Sequence, residues 1–258
     1  YNFYGVSPWA GAVLGGMISM SLALLVAYPI FRLRGVFFAM STIAISETVR
    51  ILVIYARREF DLPYGLSINY EPSFWKMIFA SRLEYVYLAG GFLLLVLAVA
   101  FLMDRSYIGY YLRAIRDNDE AAEAAGISVR RYKLLALLVS TFLTSLGGTI
   151  LAQYTLYIEP ETVFNISISI NLALMSILGG LGTLLGPVVG AIIALPLQEF
   201  LRDWFGAAAA GAHLAVYGVL LIVMVVAMPQ GIVGALAQVI SRRRARSLSQ
   251  PTAPEASS

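Results

Sequence analysis

Cysteine is absent from the 258 residues, which removes disulfide frameworks, thiolate nucleophiles and cysteine-based metal sites together. Histidine occurs once, as His213, with neither a second histidine nor an acid close to it in sequence. A metal centre or a catalytic triad needs several such groups converging on one place. Neither is expected, and no acid/base pair or activated nucleophile stands out elsewhere, so this reads as a chain that performs no covalent chemistry. Charge is also scarce. Only 13% of the residues are charged against 59% hydrophobic, with a mean hydropathy of +0.79, where a soluble domain has about a quarter charged. Apolar surface in such excess has no place in water, so an integral membrane protein is expected. The fold class that follows is all-α, a polytopic bundle forming one transmembrane domain over residues 1–240. The chain also lacks an initiator methionine and a basic segment before its first apolar run, and is expected to be truncated at its N-terminus.

What is present is a series of long apolar runs. About 20 apolar residues cross a bilayer core of about 30 Å, and seven candidates arise: Ala10–Ile30, Val36–Tyr55, Tyr87–Met103, Leu134–Tyr154, Ile166–Leu178, Pro187–Phe200 and Leu214–Met228. The fifth and sixth are short enough to be broken or re-entrant, and the sixth can borrow Gly182–Gly186 as its first turn. If the runs alternate, Arg32, Arg34, Arg105, Arg113, Arg116, Arg130, Arg131, Lys133, Arg242, Arg243, Arg244 and Arg246 share one side. The other side receives Arg57, Arg58, Lys76, Arg82 and Arg202. Positive charge accumulates on the cytoplasmic side, so the larger set is placed inside and Tyr1 outside. The Ala56–Glu84 loop, with Pro63, Gly65, Pro72, Tyr64, Tyr70, Phe74 and Trp75, is then external. It reads either as an interfacial cap with an aromatic belt or as a docking surface for an extracytoplasmic binding protein. Residues 241–258 read as a basic stop-transfer anchor followed by a disordered tail.

One polar stretch interrupts the apolar runs, Asp104–Lys133, placed in the cytoplasm by the same charge count. Its centre carries a helix with a start, a body and a stop. Asp117 or Asn118 can accept hydrogen bonds from the free N–H groups of a first turn, with Asp119 and Glu120 at the positive pole. Ala121, Ala122, Glu123, Ala124 and Ala125 favour helix, and Gly126 can take the left-handed conformation that ends one. Two turns are too short to be stable alone. Such a helix needs a surface to dock on.

Few polar residues lie inside the spans. Glu47 and Arg50 are three apart, hence on one helix face, and a charge at mid-membrane costs about 2.5–3.5 kcal/mol on insertion scales. Two readings are open: the pair cancels its own cost, or it faces a translocation path. In the fifth run Asn165, Ser169 and Ser176, with Asn171 and Ser167 nearby, form a rough polar stripe. It suits either helix–helix hydrogen bonding or a pathway lining, with Asn171 and Ser176 as lining candidates. The run Gly179, Gly180, Leu181, Gly182, Thr183, Leu184, Leu185, Gly186, Pro187 is not a nucleotide site. Three residues separate Gly182 from Gly186 where a dinucleotide fingerprint has two, and no lysine precedes a final Ser/Thr. Gly182, Gly186, Gly190 and Ala194 instead recur every fourth residue, a small-residue ridge for close helix approach. Gly186–Pro187 permits a bend or a fresh helix start.

Glu120-Ala121-Ala122 followed by Gly126 has the spacing of the EAA–three residues–Gly motif of permease subunits in bacterial ABC importers. Arg113 to Asn118 before it, and Gly126 to Lys133 after it, resemble the branched-chain amino-acid permeases, the LivM-like branch, and the Gly179–Pro187 run is similar to a second signature of that family. The resemblance covers roughly Phe31 to Ile232. It implies a second, homologous permease subunit and cytoplasmic ATPase subunits, which would hold ATP and Mg while this chain binds no cofactor. It also implies an extracytoplasmic solute-binding protein, membrane lipid around the bundle, no nucleic acid, and location in the bacterial inner membrane. The resemblance implies further spans upstream of Tyr1, and related permeases for urea and short amides share the motifs. A reading from another class is an ion-coupled secondary transporter or channel, for which only Glu47 and Arg50 are candidate ion-binding groups. A membrane-embedded enzyme would need a polar constellation at one interface, which the sequence lacks.

Overall fold

The computed structural model describes residues 7–33, 35–61, 63, 65–68, 73–79, 81–205, 216–219, 222, 223, 226 and 231–235. Arg34, Tyr64, Tyr70, Pro72, His213, most of the Leu214–Met228 run and the 241–258 tail lie outside the described residues. The chain divides into two compact units, Tyr1–Asn165 and Ile166–Ser258.

The first unit holds helices α1 (Pro8–Ile30), α2 (Val36–Glu59), α3 (Arg82–Arg105), α4 (Tyr107–Asp117), α5 (Asp119–Ala124), α6 (Val129–Thr155) and α7 (Pro160–Val163). Pro8 opens α1 at a position whose N–H would have no intrahelical partner anyway. Ser81 caps α3, its hydroxyl accepting from the Leu83 N–H at 3.3 Å. Glu84 in the first turn and Arg105 in the last each sit at the favourable pole of the helix. The long helices outrun the apolar segments that announce them. α2 continues to Glu59 instead of Tyr55, α3 covers Arg82–Arg105 instead of Tyr87–Met103, and α6 covers Val129–Thr155 instead of Leu134–Tyr154. Hydropathy marks the length that suits lipid, whereas backbone hydrogen bonding continues until a cap stops it.

α1 and α6 pack through small residues. A Cβ on Gly16 would fall 2.5 Å from the Phe142 ring, and one on Gly15 would fall 3.6 Å from Ser145 Oγ. Ser19 donates to Ser145 at 3.4 Å. Without a hydrophobic driving force between helices in lipid, such close approach is what holds two spans together. Where α1 begins and α6 ends, residues 73–79 fold back onto the helix ends. The Tyr85 hydroxyl accepts from the Phe79 N–H at 3.3 Å and donates towards the Gln153 carbonyl at 3.2 Å. Met77 and Ile78 are buried beneath, and Ser7 donates to the Trp75 carbonyl at 2.8 Å. The two-residue strands β1 (Leu66–Ser67) and β2 (Tyr157–Ile158) pair antiparallel, a small exception to an otherwise helical fold.

In the second unit α8 (Ile166–Gly179) and α9 (Gly186–Phe205) pack on a core of Met175, Leu178, Ala194 and Tyr217. The expected small-residue ridge is present but shifted. Gly186, Gly190 and Ala194 are its buried members on α9, whereas Gly182 is exposed, has φ +77°, and belongs to the turn before the helix. Only Gly186 joins the helix start, so the sixth run does not borrow Gly182–Gly186 as a turn, and α9 runs on to Phe205. A Cβ on Gly179 would fall 1.7 Å from the Gly186 carbonyl oxygen, and one on Gly190 would fall 1.9 Å from that of Met175.

Among the described residues five helical stretches are long and apolar enough to cross a membrane: Pro8–Ile30, Val36–Glu59, Arg82–Arg105, Val129–Thr155 and Pro160–Gly179. α9 has the length but carries Glu199, Arg202 and Asp203 near its end, and the seventh expected run lies mostly outside the described residues. Leu25 and Leu94 are 72% and 68% exposed. Apolar side chains laid bare along whole helices fit hydrocarbon as their solvent.

Candidate functional site

The Asp104–Lys133 stretch is more ordered than its polarity suggests. α3 ends at Arg105 and α4 begins at Tyr107, so Ser106 serves both helices and donates its hydroxyl hydrogen to the Met103 carbonyl at 2.7 Å. Gly109 lets α4 fold tightly against this turn, since a Cβ there would fall 2.4 Å from the Met103 carbonyl oxygen. Arg113 fastens the two helices, donating to the Asp104 carbonyl at 2.9 Å. α4 is the element the sequence reading missed. Its signal was available: Ile108, Tyr111, Leu112 and Ile115 recur at helical spacing with Arg113, Arg116 and Asp117 on other faces.

α5 follows after a single residue. Of the two candidates for its cap, Asn118 takes the role, its Oδ1 accepting from the N–H groups of Glu120 and Ala121, both at 3.0 Å. Asp117 instead closes α4. Asp119 and Glu120 occupy the first turn. Gly126 has φ +84° and donates to the Glu123 carbonyl at 3.0 Å, while Ile127 donates to that of Ala122 at 3.0 Å. This double closure is the glycine stop anticipated from the sequence. Ser128 then precedes α6.

Burial divides α5 sharply. Ala122 is 4% exposed and faces its own protein, whereas Glu120, Ala121, Glu123, Ala124, Ala125 and Gly126 are exposed. The Asp119 carboxylate is ion-paired with the Lys133 ammonium in the first turns of α6. Beside this pair lies an open groove of about 490 Å³ whose lining includes Leu112, Ile115, Arg116, Asn118 and Lys133. The Tyr111 and Tyr132 rings meet at 4.8 Å, joining α4 to α6. A six-residue helix that cannot persist alone is thus held by a cap, a glycine stop, one buried methyl group and an ion pair.

The other candidates are placed elsewhere. Glu47 and Arg50 satisfy each other: the Arg50 Nε donates to both Glu47 carboxylate oxygens at 3.0 Å. Their side chains are 46% and 31% exposed on α2. Ser176 donates to the Leu172 carbonyl of its own helix at 2.9 Å, and Asn171 is half-buried on α8. Among the described residues no three metal-ligating side chains come together.

The family model described as "Branched-chain amino acid transport system / permease component" matches residues 1–227. The chain belongs to this family. The permease protein LivM of the high-affinity branched-chain amino acid transport system of Escherichia coli K12 is 25% identical over 256 residues, 90% of this chain and 58% of LivM. The autoinducer 2 import system permease protein LsrC of Klebsiella pneumoniae is 28% identical over 174 residues, 66% of this chain and 48% of LsrC. The nucleoside ABC transporter permease protein NupC of Lactococcus lactis is 24% identical over 160 residues, 58% of this chain and 50% of NupC. The chain therefore spans between about half and three-fifths of the length of these relatives. No solved structure matches. As a permease-family chain it is a multi-pass helical membrane protein of transport.

Proposed function

We propose that the chain is the transmembrane permease subunit of an ATP-driven, binding-protein-dependent importer of branched-chain or other hydrophobic amino acids, and that α5 is the element on which its ATPase acts. The observation that carries this reading is the division of α5. One methyl group is buried, and a surface of small side chains with two carboxylates is turned outwards on a helix too short to need that surface for itself. Ala121, Ala124 and Ala125 leave room for a partner's groove, and Glu120 and Glu123 suit basic groups around it. ATP and Mg are held by the partner ATPases. A homologous permease subunit completes the path, and an extracytoplasmic binding protein delivers the solute. The proposal places Asp104–Lys133 and the C-terminus in the cytoplasm of a bacterial inner membrane, following the positive charges.

The substrate assignment follows the match to LivM, which covers more of this chain than the matches to LsrC or NupC. Glu47 and Arg50 neutralise each other, which supports a structural role for them in the span and weakens the ion-coupled reading. The test is co-purification from native membranes of the full assembly, with a Gly126→Trp variant beside the native chain. An ATPase retained by the native chain and lost by an inserted Gly126→Trp supports the reading. If no ATPase is recovered even after crosslinking, the importer reading fails.

A further inference from the structure

The ion pair between Asp119 and Lys133 crosses from the first residue of α5 to the first turns of α6, and it changes what α5 can do mechanically. The other end of α5 is joined to α6 by only four residues, Ala125–Ser128, with Gly126 in the left-handed conformation. Its start is joined to α4 through Asn118, so with only one attachment to α6 the helix could turn between Asn118 and Gly126, and a push on its exposed face would be spent in that turning. The second attachment removes that freedom. With Ala122 buried between the two ends, α5 is held against its own protein at its middle and fixed to α6 at its start and finish. α6 then continues unbroken for 27 residues, about 40 Å at 1.5 Å per residue, and packs along α1 through Gly15, Gly16 and Ser145.

From this juxtaposition we infer that Lys133 and Asp119 are positioning residues for transport: their pair locks α5 to α6, so that force received by α5 enters the α6 span. The inference rests on α5 being the ATPase contact and adds the route by which the contact reaches the membrane. Both side chains are more than a third exposed, and exposed pairs contribute little to stability. Their loss therefore leaves the fold intact and alters only the transmission. The Tyr111–Tyr132 contact joins α4 to α6 and does not act on α5 directly.

The test uses the full assembly in proteoliposomes. The chain has no cysteine, so Asp117→Cys and Ser140→Cys give one spin label beside the start of α5, off its docking face, and one on α6 without other sites on this subunit. The distance between the labels is measured in the ATP-free and the vanadate-trapped states. With the native pair, the distance is expected to be the same in both states. In Lys133→Met and in Asp119→Asn it is expected to shift or broaden on trapping. ATPase co-purification should be retained in both, and uptake of radiolabelled leucine per ATP hydrolysed should fall at least about tenfold. The swap Asp119→Lys with Lys133→Asp should return both readouts to within about threefold of native. A native distance that changes on trapping, single variants whose distance stays fixed, or a swap that restores neither readout would each overturn the lock. Single variants that lose the ATPase would instead make these residues part of the docking surface, which also refutes it. Failure of the underlying reading looks different: Gly126→Trp would then leave ATPase binding unchanged.

Discussion

Replacing Gly190 by alanine should loosen the second unit, and the size of the effect follows from three distances. The added methyl carbon falls 1.9 Å from the Met175 carbonyl oxygen, 2.9 Å from its carbonyl carbon and 3.0 Å from the Gly179 nitrogen. Non-bonded heavy atoms settle about 3.5 Å apart, so α8 and α9 must part locally by about 1.5 Å. All three obstructing atoms are backbone, and no side chain can rotate away to relieve the crowding. The separation opens the contact that Met175, Leu178 and Ala194 make. Overpacking of this kind costs about 1–3 kcal/mol, partly offset by a gain of up to about 1 kcal/mol because alanine favours helix over glycine. The net expectation is a loss of about 1–2 kcal/mol. Gly90 on α3 is the control, because a Cβ there meets nothing within 4 Å. Gly90→Ala should collect the propensity gain alone. Thermal unfolding in detergent, followed by size-exclusion of the surviving fraction, should place Gly190→Ala below the native chain and Gly90→Ala at or above it. At about 2–4 °C per kcal/mol for a chain of this size, the two variants should differ by several degrees. A Gly190→Ala chain as stable as the native one would mean that α8 and α9 do not approach as closely as described.

Asn118→Ala removes the acceptor for two N–H groups at the start of α5 and should cost about 1 kcal/mol locally; hydrogen exchange at Glu120 and Ala121 should accelerate, with Asn118→Asp close to native. Gly126→Ala puts a side chain where φ is +84°, at about 1–2 kcal/mol for a left-handed L-residue. ATPase co-purification should drop, while Gly126→Asn retains more of it. Glu47→Gln leaves Arg50 without its carboxylate inside a span and should lower membrane insertion or thermal stability by up to about 2.5–3.5 kcal/mol. Glu47→Gln with Arg50→Gln should recover most of that loss, and a double variant that still takes up leucine would place the pair outside the pathway. Tyr85→Phe removes the hydroxyl that joins residues 77–79 to Gln153, so protease cleavage within 73–79 should become faster at about 1 kcal/mol of local cost; unchanged cleavage would show that burial of Met77 and Ile78 holds the segment.

The apolar runs were legible because lipid selects composition over a fixed length, so α1, α2, α3 and α6 could be located from residues alone. Their ends were not, because a helix stops where a cap such as Ser81 is available, and hydropathy does not register caps. The centre of the polar stretch was legible for the opposite reason. The Asn118 cap, the alanine-rich body and the Gly126 stop are local chemistry contained in nine residues. α4 was overlooked although its amphipathic spacing was present, because a reading tuned to long apolar runs discards a half-apolar helix. Contacts distant in sequence could not be read at all. Nothing in the order of residues pairs Leu66 with Ile158, places Tyr85 over Gln153, or brings Lys133 to Asp119 across α5.

Gly179 belongs with these, since its role on α8 follows from what α9 presents rather than from its own neighbours. In water, exposed polar faces and buried apolar ones would sort the helices. Here the spans have few fully buried residues, none in the apolar windows of α2, α3 and α6, so rigidity cannot come from a large core. It comes from a few seams where glycine or serine lets two backbones approach. α6 has such a seam with α1, and α9 has one with α8. α2 has no buried residue and no comparable glycine contact among the described residues, so it is held less tightly than the α1–α6 pair. In the proposed mechanism this distribution decides where force goes. A displacement entering at Lys133 is carried along α6 and handed to α1 across Gly15 and Gly16, while α2 can stay behind. The relative movement that opens a path is therefore expected between the α1–α6 pair and α2, and not within the pair itself.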